Sequence, residues 1–99
     1  MAGYFLSPEA MDDLHGIRDF VALDSPTAAD RLIDQFFGAF EQLALWPGQG
    51  HSRRDLTDRN VRFWPVGSYL VVYRGDRGPL ETVAILHGAR DIPRVIEQR

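Results

Sequence analysis

The chain has no cysteine, which excludes disulfides, a thiolate nucleophile and a cysteine-ligated zinc site. It has no lysine either. All eleven basic residues are arginine, so every cationic contact is a planar guanidinium suited to carboxylate or phosphate. No apolar run approaches the ~20 residues needed to span a bilayer. No basic region precedes an apolar stretch near the N-terminus, so no signal peptide is expected and the expected compartment is the cytoplasm. With 44% hydrophobic and 25% charged residues, the composition also excludes a disordered chain.

The 99 residues are expected to form one domain, 1–99, near the lower end of ordinary domain sizes. A chain this short buries only about 60–65% of its unfolded surface. Its expected stability is modest, on the order of 5–10 kcal/mol, and a bound partner adds to it. The net charge of −3 conceals a split. Residues 1–46 carry eight acids and two arginines, a balance of −6, whereas residues 47–99 carry nine arginines and six acids, a balance of +3. An acidic half and an arginine half point to charged partners.

Tyr4-Phe5-Leu6 is long enough for one brief strand. In Ser7-Pro8-Glu9 a capping serine precedes a proline at the first helical position and a carboxylate near the positive helix end. Ala10, Leu14, Ile17 and Val21 then recur every three to four residues, predicting a helix through about Ala22. Asp24-Ser25-Pro26 repeats the signal and opens a second helix. Its broad apolar stripe is Ala29, Leu32, Ile33, Phe36, Phe37, Phe40, Leu43 and Ala44, and Pro47-Gly48 stops it. So short a link predicts an antiparallel helical hairpin.

Residues 47–60 read as a loop. Three strands follow: Val61 to Val66, where Pro65 marks an edge or a bulge; Tyr69 to Tyr73, apolar enough for both faces to be covered; and Leu80 to Leu86. Strict alternation would put Leu80, Thr82, Ala84 and Leu86 on one face of the last strand, with Glu81, Val83, Ile85 and His87 on the other. A short helix from about Ile92 to Ile96 closes the chain. The predicted fold is α+β, in the order β-α-α-β-β-β, with the hairpin packed on an antiparallel sheet that the first strand joins beside a later one.

The last strand runs directly into His87-Gly88-Ala89-Arg90-Asp91-Ile92-Pro93, delivering an imidazole and a guanidinium at the end of a rigid sheet. Asp91 can cap the closing helix and Pro93 suits its first turn. His87 has the right pKa range for a general acid or base, and Arg62, Arg74 and Arg90 could serve a phosphate. With no lysine and no second acid or base evidently beside it, the simpler reading is a strand-end histidine. Arg53, Arg54, Arg59 and Arg62 form the densest basic cluster, fit either for phosphate or acidic protein surface or for local pairs with Asp55 and Asp58. Trp46 and Trp64 are expected to pack. Phe36, Phe37 and Phe40 read as core, but their spacing prevents all three from facing one side. His15 and His51 are isolated, and no metal site or cofactor is expected.

The element order and its motifs together resemble the ParE toxins of the RelE/ParE superfamily over nearly the whole chain. The landmarks are Leu6-Ser7-Pro8-Glu9-Ala10, Asp24-Ser25-Pro26 with Ala28-Ala29, Leu43-Ala44 leading to Pro47 and Gly50, Arg53-Arg54-Asp55-Leu56, Tyr69-Leu70-Val71-Val72-Tyr73-Arg74, and the closing Leu86 to Pro93. The resemblance implies the toxin of a type II toxin–antitoxin pair, with plasmid stabilisation as its role. A ParD-like antitoxin would neutralise it with a tail wrapped across hairpin and sheet. Free, it would act without catalysis by poisoning DNA gyrase. On that basis Arg53, Arg54, Arg59, Arg62, His87 and Arg90 are expected to meet the target, and Phe36, Phe37, Phe40, Trp64 and Tyr73 the antitoxin. The alternatives are a RelE-like, ribosome-dependent mRNA endonuclease using His87 and Arg90, and an inactive homologue acting only as co-repressor.

Overall fold

The computed structural model describes residues 3–76, 78–88 and 91–99. The elements are β1 (Tyr4–Leu6), α1 (Pro8–Asp24), α2 (Pro26–Leu45), a single 3₁₀ turn (Pro47–Gln49), β2 (Arg62–Val66), β3 (Tyr69–Arg74), β4 (Leu80–His87) and α3 (Ile92–Glu97). Both cap-proline signals work as the sequence predicts. Ser7 Oγ accepts from the Ala10 N–H and Ser25 Oγ from the Ala28 N–H, each at 3.1 Å. Ser25 also closes α1, its own N–H donating to the Val21 carbonyl at 2.9 Å. One residue therefore ends one helix and starts the next, and the hairpin follows.

The sheet has four strands in the order β1-β4-β3-β2. β2, β3 and β4 pair antiparallel, but β1 lies parallel to β4, with Tyr4 to Leu6 beside Leu80 to Thr82. The sheet is thus mixed, which corrects the all-antiparallel expectation. β1 is followed by a crossover through both helices rather than by a hairpin turn, so its connection does not require an antiparallel neighbour. β2 is an edge strand, one of the two readings Pro65 left open. Gly67, at φ +57°, supplies the positive φ that the tight turn into β3 needs.

A bulge changes which residues of β4 share a face. Val72 pairs with Ala84 but Tyr73 pairs with Thr82, so Val83 has no opposite number. The extra residue reverses the parity. Leu80 and Ile85 therefore join the hairpin-side core with Phe36, Phe40, Leu43, Val71 and Tyr73. Ala84 and Leu86 pack on the other side with Phe63, Val72, Ile92 and Ile96. The alternation expected for Leu80 to His87 fails at that point. Both faces of β3 are covered, by the hairpin on one side and by α3 with the approach to β2 on the other. Each large apolar side chain buried here contributes on the order of 1.5–3 kcal/mol.

Tyr73 ties the loop after α2 to the sheet. Its ring is fully buried. Its hydroxyl donates to the Pro47 carbonyl at 2.6 Å and accepts from the Gly50 N–H at 2.8 Å. Burial pushes the phenol's pKa up, against the hydrogen bond from Gly50 and the charge of Arg62, which lower it. A Cβ on Gly50 would overlap this hydroxyl, so glycine is required there by close approach.

Candidate functional site

The junction at the end of β4 is where the sequence concentrates polar groups. His87 is exposed and pairs in register with Tyr69, whose ring it meets edge-on at 5.4 Å between centroids. The Gly88 N–H donates to the Ser68 carbonyl at 3.0 Å, closing the ladder. Arg90 lies outside the described residues. Asp91 stands at the N-cap of α3, but its side chain makes no capping hydrogen bond; Pro93 occupies the first turn as expected.

Among the described residues, two of the three arginines named for a phosphate-cleaving site, Arg62 and Arg74, stand elsewhere. Arg62 sits beside Tyr73 and Arg74 beside Glu81, at the opposite end of β3 from the Tyr69–His87 pair. Four to five residues at ~3.3 Å each place their backbones roughly 13–17 Å from His87 along the strand. Arg74 also points to the face away from the hairpin, bonded to Glu81 at 2.7 Å. The structure does not bring Arg62 or Arg74 to His87.

The arginine segment is held by local partners. Arg53 forms two hydrogen bonds to the Asp55 carboxylate, at 3.0 and 2.8 Å. That hydrogen bonding holds Asp55 below the usual carboxylate range and Arg53 above its ordinary value. Arg54 donates to the Asp58 carbonyl, Arg59 to the Glu97 carbonyl and Arg62 to the Gly50 carbonyl, at 2.9, 3.0 and 2.9 Å. These contacts order an exposed strip whose guanidinium groups keep donors for an incoming anion. Arg59 and Arg74 also border a cavity of about 750 Å³ beside α3, with Phe5, Glu81 and Ile96. Among the described residues, no cluster of three or more His, Asp or Glu side chains could hold a metal ion.

The aromatic residues expected to meet the antitoxin divide sharply. Phe36, Phe40 and Tyr73 are fully buried and offer no surface to a partner, because they are the centre of the hairpin-side core. Phe37 is 37% exposed and stands edge-on to Phe40 at 5.8 Å. Trp64 is half-buried against the same core. Trp46 departs from the packing expected of it and is 64% exposed. Leu43 takes a core position near the end of α2, and the Trp46 backbone closes the helix, its N–H donating to the Gln42 carbonyl and its carbonyl accepting from Gln49 Nε2, while the indole stays outside.

The apolar surface that the sequence reading missed lies at the two ends of the hairpin. Phe20 and Leu23, on the last turns of α1, are 71% and 87% exposed, and Leu45 beside Trp46 is also open. Phe20 and Leu23 fall outside the Ala10-Leu14-Ile17-Val21 stripe, and that was their one visible signal. A groove of about 550 Å³ runs between α1 and the end of the sheet, lined by Asp12, Ile17, Phe20, Tyr69, Ile85 and His87. The second missed feature borders it: Asp13 of α1 and Arg99, paired at 2.8 and 3.0 Å. Nothing in the sequence links two residues so far apart.

A family model described as the ParE toxin of the type II toxin–antitoxin system parDE matches residues 4–92. Among solved structures, the chain is similar to one titled "Chromosomal ParDE TA system from P. aeruginosa", with a TM-score of 0.72 and 20% identity. The match covers 88% of this chain and 96% of that one; at this identity it shows the shared fold. No curated protein matches.

Proposed function

The chain belongs to the ParE toxin family of type II toxin–antitoxin systems, and on that premise we propose that it inhibits growth by binding and poisoning DNA gyrase until a ParD-like antitoxin neutralises it. The observation that carries the binding reading over an RNA-cutting one is the separation just described. His87 stands at one end of the sheet, Arg62 and Arg74 at the other. General acid–base cleavage needs its proton donor, acceptor and cations within hydrogen-bond reach of one phosphate, whereas a binding toxin can spread its contacts. Arg53, Arg54, Arg59 and Arg62 offer a cationic strip for the target, with His87 and Arg90 at the junction as a second contact. Phe37 and Trp64, together with Phe20 and Leu23, offer apolar surface to the antitoxin tail. No helix among the described residues is long and apolar enough to cross a membrane, which agrees with action in the cytoplasm.

The test is His87→Ala, expressed from a tightly controlled promoter. Growth arrest that persists in the variant supports a binding toxin. Arrest that disappears, while antitoxin still binds the variant, would move the assignment to an mRNA endonuclease. A wild-type chain that leaves growth untouched would leave only the co-repressor role.

A further inference from the structure

On the face of the sheet away from the hairpin, three neighbouring strands set three different chemistries in one row. Phe5 of β1 is in register with Glu81 of β4, and Glu81 with Arg74 of β3. Tyr4, Leu6, Leu80 and Tyr73 belong to the hairpin-side core, so alternation turns Phe5, Glu81 and Arg74 to the opposite face. The row runs aromatic, carboxylate, guanidinium across two strand spacings, roughly 10 Å. All three residues line the cavity of about 750 Å³ beside α3, a size that suits a small organic ligand.

The rest of the lining completes a site. The bulge sets Val83 and Ala84 side by side on this face, and with Ile96 of α3 they make its apolar part. Phe5 is 48% exposed and, among the described residues, stacks on no other ring. Arg59 has no carboxylate partner among the described residues, and its Nη2 donates to the Glu97 carbonyl. Arg74 commits its Nε to Glu81 Oε1 at 2.7 Å. Both guanidinium groups therefore keep N–H donors for an anion. A second carboxylate, Asp76, stands 3.3 Å from the Asn60 amide. Arg99 borders the cavity too, but Asp13 already neutralises it.

A bare anion would have no use for the carboxylates, and an apolar ligand none for the arginines. A nucleotide uses every part. Aromatic rings take bases, carboxylates accept from ribose hydroxyls, and arginine donates to phosphate. The row also presents these groups in the order in which a nucleotide carries base, ribose and phosphate. We propose that this cavity binds a free nucleoside monophosphate. The base stacks on Phe5, the ribose hydroxyls donate to Glu81, and the phosphate accepts from Arg74 and Arg59. The site goes beyond the toxin reading, which calls for no small ligand, and stands or falls separately from it.

The experiment titrates AMP, GMP, CMP and UMP into the purified chain, followed by calorimetry and by amide resonances. The expected Kd lies below about 1 mM, with purines ahead of pyrimidines because they stack better, and the Glu81, Val83 and Ala84 amides should shift. Adenosine, ribose 5-phosphate and inorganic phosphate each lack part of the match and should bind at least about tenfold more weakly than AMP. Phe5→Ala should weaken AMP binding roughly tenfold, and Phe5→Trp should equal or exceed wild type. Arg74→Gln should weaken AMP binding roughly tenfold and leave adenosine unaffected. Trp46→Ala and Arg31→Gln, both exposed and outside the cavity, should bind AMP as wild type does. Thermal midpoints identify any variant that has lost its fold, and Phe5→Trp keeps the test decisive if Phe5→Ala is one. A Kd above about 1 mM for all four monophosphates, inorganic phosphate binding as tightly as AMP, or Phe5→Ala and Arg74→Gln chains that bind AMP as wild type does would each overturn the proposal. A trinucleotide binding about tenfold more tightly than any monophosphate would also overturn it, in favour of a strand. None of these outcomes touches the gyrase reading.

Discussion

Replacing Tyr73 with phenylalanine removes one oxygen atom and leaves two backbone groups without their partner. The Gly50 N–H is buried against the ring, and an unsatisfied buried donor costs ~1–3 kcal/mol. The Pro47 carbonyl is only partly enclosed and can turn to water, so it adds about 0.5–1 kcal/mol. The expected loss is about 2–3 kcal/mol. With a urea slope of ~1–1.5 kcal/mol/M for a domain of this size, the unfolding midpoint should fall by roughly 1.3–3 M. Fluorescence from Trp46 and Trp64 during urea titration at neutral pH measures it, with the slope unchanged.

The same residue gives a pH signature. Burial raises the native phenol's pKa above its unfolded value, so the native state holds that proton more tightly. The stabilisation is therefore whole at neutral pH. It drains away as pH climbs past the unfolded value, near 10, and through the higher native one. Phenylalanine has no proton to lose, so the gap between wild type and variant should narrow above about pH 10. A neutral-pH midpoint within about 0.3 M of wild type, or a gap that widens in alkali, would refute the claim that this hydroxyl pins the loop.

Two further substitutions probe neighbouring claims. Gly50→Ala drives a methyl into the Tyr73 ring, within 2.7 and 2.9 Å of two ring carbons; calorimetry should show a loss of ~1–3 kcal/mol, with wild-type stability contradicting the close approach. Asp13→Ala strips the partner from the Ile85 N–H and from Arg99, whose side chains pair largely out of solvent. It should cost ~2–4 kcal/mol in urea unfolding, and a cost near zero would mean that the pair does not tie α1 to β4.

Much of the scaffold was legible because it is written in local chemistry. Ser7-Pro8 and Ser25-Pro26 set both helix starts, and both serines make the capping bonds their positions called for. Pro65 narrowed β2 to an edge or a bulge, of which the edge is found, and the apolar run from Tyr69 to Tyr73 identified a covered strand. What escaped depends on tertiary register. The bulge at Val83 leaves no trace in an apolar strand that reads plausibly in either parity. The parallel seat of β1 lies against a strand far along the chain, which three residues do not specify. The arginine cluster was visible as composition, but its ties to Asp55, Asp58, Glu97 and Gly50 were only half foreseen, because two of them run to distant backbone carbonyls. The aromatic stripe of α2 was correctly suspected of being split. Burial of Phe36 and Phe40 left Phe37 as its outward member, and the larger exposed surface lay on α1, where Phe20 and Leu23 were hidden among acids.

The central claim is that this protein harms the cell by binding gyrase. Its most direct test combines purified chain, gyrase, ATP and supercoiled plasmid, with denaturant added to reveal trapped breaks. The account predicts linear plasmid that appears only when the chain is present, persists with His87→Ala and vanishes when antitoxin is added. Intact plasmid at high chain concentration, from a preparation that still stops growth, would contradict it and direct the search to translating ribosomes.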